Sequence, residues 1–246
     1  MSKTFFITLI ILAITFVYLA LKLFGKKTID PKKLLKHNPI TPQNTVITFD
    51  LHDVIVNYDY AAIIKTFFKS KKKLRLILAL LNPLVWWDII KLTYNKAIAE
   101  QYIVGLGEKH TSLQPYVQLG IKIANCQKIN HNVIQIIKEL KNRGYTLHMF
   151  SNIGTIICKQ FEQKEPEIFQ YFDDFILPSK QNGYLRKPHH NAFVNYLEKV
   201  KNAQKQVLFI DDKTRNTKKS HKYGIIGIQF KNHVQLREIL KYLGVL

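Results

Sequence analysis

The sequence predicts an α/β protein: a doubly wound, mostly parallel sheet with helices on both faces, an inserted helical segment, and a transmembrane helix at the amino terminus. Three observations predict it. Short apolar runs alternate with amphipathic stretches, the pattern of strands joined by crossover helices. The alternation breaks once, over residues 60–128, where helical periodicity dominates and no strand signal is convincing. Residues 5–21 carry no charge at all.

Taken in order, the apolar run 5–21 extends to Phe24 if Lys22 stretches its stem outward. About 20 residues at about 1.5 Å each cross about 30 Å of hydrocarbon, so residues 1–25 are expected to be a membrane anchor. A cleaved signal peptide would end at small residues, and Leu21-Lys22-Leu23-Phe24-Gly25 offers none. Lys3 alone precedes the span, whereas Lys22, Lys26, Lys27, Lys32, Lys33 and Lys36 follow it. The positive-inside rule therefore expects a single-pass protein with its folded domain in the cytoplasm. Residues 26–44, basic and punctuated by Pro31, Pro39 and Pro42, suit a linker.

Strands are expected at 45–49, 146–150, 174–177, 207–210 and 225–230, with helices at 132–142 and 192–200. The core then comprises 45–59 and 129–246, and the insertion 60–128 forms a helical cap. Within the insertion, 74–90 is unusually apolar, follows the basic run 69–73 and holds Trp86 and Trp87. It fits the cap's hydrophobic core, broken by Pro83, or a segment seated at a membrane interface.

Composition narrows the function classes. A chain of 246 residues that is 47% hydrophobic can bury a core, which excludes disorder. Cys126 and Cys158 lie far apart, which excludes a disulfide framework and a zinc site and fits a reducing compartment. The formal charge of +20 attracts anions of every kind. No motif pairs a basic patch with a reading element, which argues against nucleic acid as a partner. No H-E-x-x-H, G-x-S-x-G or P-loop pattern occurs.

The chemistry collects at expected strand ends. Asp50 closes the first strand, at the edge where parallel sheets bind ligands. Ser151 and Asn152 follow the second, Arg186-Lys187-Pro188 precedes a helix, and Asp211-Asp212 ends the fourth. A carboxylate attacking phosphorus meets another anion, so it needs a divalent cation and fixed positive charge. Asp50, Asp211 and Asp212 are hard oxygen ligands suited to Mg²⁺. Lys187 would hold nucleophile and phosphate in register, and the Ser151 hydroxyl and neighbouring amides would donate to phosphoryl oxygens. The partner so implied is a phosphorylated substrate.

The stretches ITFDLHDVIVN, FSN, RKPHHNAF and FIDDKTRNTKKSHKYGIIGIQF resemble, in order, the motifs of haloacid dehalogenase-like (HAD) hydrolases. The resemblance runs from Thr45 to Phe230 apart from the insertion. It implies a Rossmann-like five-stranded core and an aspartyl-phosphate intermediate on Asp50. It implies that Asp211 and the backbone carbonyl of His52 share Mg²⁺, with Asp212 as a further or outer ligand. Ser151, Asn152 and Lys187 would bind the phosphate, and the insertion would be a mobile lid that selects the substrate.

One position departs from the pattern. Family phosphatases carry a second Asp two residues after the nucleophile, and here that residue is His52; Asp53 comes one place too late. His52 could itself act as acid and base, since imidazole titrates near neutrality. Dehalogenase and phosphonate-cleaving branches also lack the second Asp. A scaffold that binds metal or phosphate without turnover, serving as an interaction protein, is the third reading. His189 and His190, at an expected helix start, suit solvation or capping.

Overall fold

The computed structural model describes residues 39–71, 73–94, 98–201 and 205–246. Its strands are β1 (Thr45–Phe49), β2 (Val56–Tyr58), β3 (Gln127–Ile129), β4 (Thr146–Phe150), β5 (Asp174–Ile176), β6 (Gln206–Asp211) and β7 (Ile226–Gln229). A parallel sheet of five strands runs β5–β4–β1–β6–β7. The strand order reverses at β1, and a crevice opens there at the carboxyl ends.

Every residue of β1 is buried, as expected for a strand covered on both faces. Successive side chains point to opposite faces. Ile47 and Phe49 join one apolar cluster with Val133, Ile136, Ile137 and Leu140, and with Leu236 and Leu240. Val46 joins another with Phe193, Tyr196 and Val200. The hydroxyls of Thr48 and Tyr196 share a hydrogen bond, which satisfies two buried polar groups.

The helices are α1 (Tyr60–Lys69), α2 (Lys73–Leu80), α3 (Pro83–Tyr94), α4 (Ala99–Lys109), α5 (Val117–Ala124), α6 (His131–Asn142), α7 (Thr155–Lys164), α8 (Pro166–Phe169), α9 (His190–Lys201), α10 (Thr214–Ser220) and α11 (His233–Tyr242). In α6 the buried residues fall at 133, 136, 137 and 140, the spacing of one helical face. Gly144, at φ +83°, takes the left-handed conformation that ends the element before β4.

The insertion is helical from α1 to α5, but antiparallel pairing of β2 with β3 forms its stem. The Asp59 carboxylate accepts from Ala62 N–H at 2.9 Å and starts α1. Pro83 opens α3, where its missing N–H matters least. The core reading of 74–90 is corrected here: Val85 is buried, but Leu78, Leu84 and Trp87 are 60%, 67% and 57% exposed.

The single-pass cytoplasm-facing placement is also corrected. Among the described residues no helix is long and apolar enough to cross a membrane. The longest, such as α6 with 12 residues, reaches about 18 Å against about 30 Å of hydrocarbon. The apolar run 5–24 and most of the expected linker lie outside the described residues.

Candidate active site

Three strand ends bring the expected residues together. Asp50 follows β1, where its N–H donates to Ile210 O at 2.8 Å and its Oδ1 accepts from Leu51 N–H at 2.8 Å. Lys187 Nζ lies 3.1 Å from Asp50 Oδ1 and 2.7 Å from Asp211 Oδ2, and also donates to Phe150 O. The ammonium sits 5.1 Å and 4.9 Å from the ring centres of Phe150 and Phe209. All three charged residues are buried, at 4%, 1% and 0% exposure for Asp50, Lys187 and Asp211. Charges so placed persist only when paired and hydrogen-bonded.

The pairing is held from outside. Asn152 accepts from Lys187 N–H at 2.8 Å and donates to Lys187 O at 2.8 Å, so its side chain clamps the lysine's backbone. Asn216 donates to both oxygens of Asp211, at 3.0 and 2.9 Å, and Lys213 N–H donates to Oδ1 at 2.8 Å. Ser151 is buried, and its hydroxyl accepts from Ile153 N–H at 3.3 Å.

Asp50, Asp211 and Asp212 each bring a carboxylate oxygen within 4.8 Å of the others. Burial pushes Asp211 above the ordinary carboxylate range; Lys187 opposes the rise and Asp50 adds to it. Burial pushes Asp212 up to about 7, with Lys213 opposing. Asp212 Oδ1 is buried without a hydrogen-bond donor, Lys213 Nζ being 3.8 Å away. A buried oxygen without a donor beside two further carboxylates is a donor set that fits Mg²⁺.

At position 52 the imidazole stacks on Tyr58, with ring centres 5.1 Å apart and planes at 17°. Burial, reinforced by the Lys213 charge, lowers its pKa to about 4. His52 Nδ1 is buried with no partner among the described residues. The ring is therefore neutral at neutral pH. Asp53 is exposed and stands outside the carboxylate group. Its φ of +61° is left-handed, which Asp tolerates better than most residues, and its N–H donates to Val56 O at 2.7 Å as the chain turns.

A cavity of about 400 Å³ opens on this centre, lined by Asp50, His52, Ser151, Asn152 and Lys187. Asp211 and Asp212 are not among its lining residues. The insertion and its stem add Tyr58, Ile98, Ala99, Tyr102 and Ala124, and the core adds Arg186, Lys213 and Arg215. Helix α4 is fixed to the core by Glu100 Oε2, which accepts from Ile156 N–H at 2.9 Å near the start of α7. A methyl on Gly154 would fall 2.0 Å from that oxygen, so glycine permits the approach.

Sequence reasoning did not single out Tyr58, Tyr102, Lys213 or Arg215. Lys213 and Arg215 stand inside the quoted motif stretches, where their charge was a usable signal. Tyr102 carries none, because folding of the insertion alone brings it to the cavity.

A model described as haloacid dehalogenase-like hydrolase matches residues 45–217. No curated protein matches the chain. Among solved structures, the HAD-family hydrolase YfnB of Bacillus subtilis, bound to magnesium, is 14% identical over 81% of this chain and 98% of that one, with a TM-score of 0.54. The HAD-family enzyme BT-2542 of Bacteroides thetaiotaomicron, in complex with magnesium and inorganic phosphate, is 18% identical over 76% of this chain and 94% of that one, at 0.52. A dehalogenase solved with an intermediate complex is 12% identical over 78% of this chain and 87% of that one, at 0.50. At such identities the likeness is one of fold.

Proposed function

Because the chain belongs to the haloacid dehalogenase-like hydrolase family, matched over residues 45–217, we propose that it hydrolyses phosphomonoesters with Mg²⁺ through an aspartyl-phosphate on Asp50. The observation that carries this reading is one buried carboxylate, Asp50, held 3.1 Å from one buried ammonium, Lys187, at the wall of a cavity. Asp50 Oδ1 is engaged by Leu51 N–H and Lys187, while Oδ2 receives no hydrogen bond from the described residues. Oδ2 is thus the oxygen left to attack.

In the first step Asp50 Oδ2 bonds to phosphorus, the bond from phosphorus to the leaving oxygen breaks, and that oxygen takes a proton from water. In the second, water attacks the same phosphorus, the bond to Asp50 breaks, and inorganic phosphate departs from a regenerated carboxylate. Mg²⁺ held by Asp50, Asp211, Asp212 and the His52 carbonyl would supply the positive charge that offsets repulsion between carboxylate and phosphoryl group. Lys187 supplies fixed charge in the same place. The Ser151 hydroxyl and the Asn152 amide donate to phosphoryl oxygens, and the Asn152 side chain holds Lys187 in position. Helices α1 to α5 serve as the cap, with α4 forming part of the cavity wall. The ligands bound to YfnB and BT-2542 accord with this choice of metal and substrate.

A second reading is a protein that binds phosphate or metal with turnover impaired. His52, lowered to about 4, favours it, since a neutral imidazole cannot protonate the leaving group. Phosphate release from a panel of aryl and alkyl phosphates, with and without Mg²⁺, separates the two. The hydrolase reading requires metal-dependent release that disappears in Asp50→Asn. Absence of release by the folded wild type, with release by His52→Asp, selects the second.

A further inference from the structure

Lys187 is committed to Asp50 and Asp211, yet three more cations line the same cavity: Arg186, Lys213 and Arg215. Asp50 is the sole acid among the lining residues. Lys213 belongs with the acid cluster: burial disfavours its charge, but Asp50, Asp212 and Asp211 outweigh burial and raise its pKa. The two guanidiniums are placed differently. Arg186 is half-buried, and Arg215 lines the cavity while remaining exposed, which puts it at the mouth. Burial lowers the pKa of Arg186, Tyr102 opposes the fall, and the like charge of Arg215 adds to it. Arg215 forms no ion pair with any described residue.

Two guanidiniums on the wall of one cavity repel, and an anion seated between them offsets that repulsion. Guanidinium also pairs with carboxylate and phosphate through parallel hydrogen bonds. On the hydrolase reading one phosphoryl group would be met by Lys187, by Lys213 and by Mg²⁺ held on the carboxylates. We infer that Arg186 and Arg215 bind a second anionic group, so the substrate class is a small phosphomonoester that carries another phosphate or a carboxylate. This rests on the hydrolase reading above. A cavity of about 400 Å³ suits a small molecule of this kind.

The test uses the full chain with excess Mg²⁺ and matched substrates: fructose 6-phosphate against fructose 1,6-bisphosphate, and glycerol 3-phosphate against 3-phosphoglycerate. The doubly anionic member of a pair is expected to have a kcat/KM higher by about tenfold or more, with the gain in KM. Preference for the bisphosphate alone assigns phosphate as the second group, and preference for phosphoglycerate alone assigns carboxylate. In Arg215→Gln and Arg186→Gln the ratio within the preferred pair falls toward one. Equal use of both members, or variants that slow both equally, overturns the inference while leaving the hydrolase reading intact. Calorimetric binding of methylenediphosphonate against methylphosphonate reads the same contrast without turnover. If no substrate is hydrolysed but the diphosphonate binds about tenfold tighter and loses that margin in Arg215→Gln, the hydrolase reading fails and the second anion site stands. Equal binding of the two probes overturns the site.

Discussion

Lys187 Nζ lies 3.1 Å from Asp50 Oδ1 in a place where both side chains are buried. The same ammonium is 2.7 Å from Asp211 Oδ2. One cation thus balances two buried carboxylates.

Removing that cation leaves Asp50 and Asp211 buried together. Lys187→Met is expected to destabilise the fold by about 3–5 kcal/mol, the usual result of deleting one partner of a buried pair. Mg²⁺ is expected to stabilise the variant more than the wild type, because it restores positive charge beside the two carboxylates. Urea unfolding midpoints with and without Mg²⁺ read both effects. A variant as stable as the wild type contradicts the electrostatic role assigned to Lys187.

Metal affinity is expected to depend on pH through Asp212. Its folded-state pKa is raised from 3.8 to about 7, so between these values the folded chain holds a proton that a solvated Asp would release. Mg²⁺ needs the carboxylate, so its affinity rises as pH rises through that window and binding expels the proton. Calorimetric titrations at about pH 6 in buffers of different ionisation heat should show proton release, which falls in Asp212→Asn. Release that is unchanged in the variant assigns the proton elsewhere.

His52 sets a different signature. A pKa lowered to about 4 leaves the imidazole neutral above that pH, so in the proposed hydrolysis leaving-group protonation would be the weak step. Aryl phosphates, whose leaving groups need no proton, should be hydrolysed far faster than alkyl phosphates. Between about pH 5 and 8 the rate should show no inflection from His52. His52→Asp is expected to raise alkyl phosphate turnover by about 100-fold and aryl turnover much less, the scale of general acid catalysis. Equal gains on both substrate types would show that the residue acts on something other than the leaving group.

The insertion approaches the core closely where Glu100 meets Gly154. In Gly154→Ala the added methyl meets Glu100 Oε2 at 2.0 Å and Glu100 Cβ at 2.6 Å, so the carboxylate must leave Ile156 N–H. Helix α4 would shift and carry Tyr102 out of the cavity wall. Hydrogen exchange at the Ile156 amide should accelerate and KM should rise, while exchange within β1 stays slow. Unchanged protection at Ile156 would mean that this contact does not hold the insertion.

How far each feature is legible in sequence follows from its physics. Strands β1 and β4 match the expected 45–49 and 146–150, because a short apolar run bounded by polar residues has few alternatives in a sheet covered on both faces. The stem strands β2 and β3 have three residues each, too few for periodicity, and pairing defines them. The apolar stretch 74–90 misleads because hydropathy does not say which face is covered: Val85 is buried while Trp86 and Trp87 are exposed. Asp50 and Asp211 are legible because each closes an apolar run that reads as a strand, and Lys187 because it precedes Pro188 just ahead of an expected helix. Tyr102 and the repulsion of Arg186 by Arg215 arise only when chain segments meet.

The most direct test of Asp50 as nucleophile is to trap the covalent intermediate. The full chain is mixed with Mg²⁺ and an aryl phosphate, quenched in acid within the first turnovers, reduced with borohydride and mapped by mass spectrometry. The prediction is reduction of the side chain at position 50 to that of homoserine, dependent on substrate and Mg²⁺. Phosphate release that proceeds with position 50 unreduced, or with the phosphoryl group trapped on another residue, would contradict it.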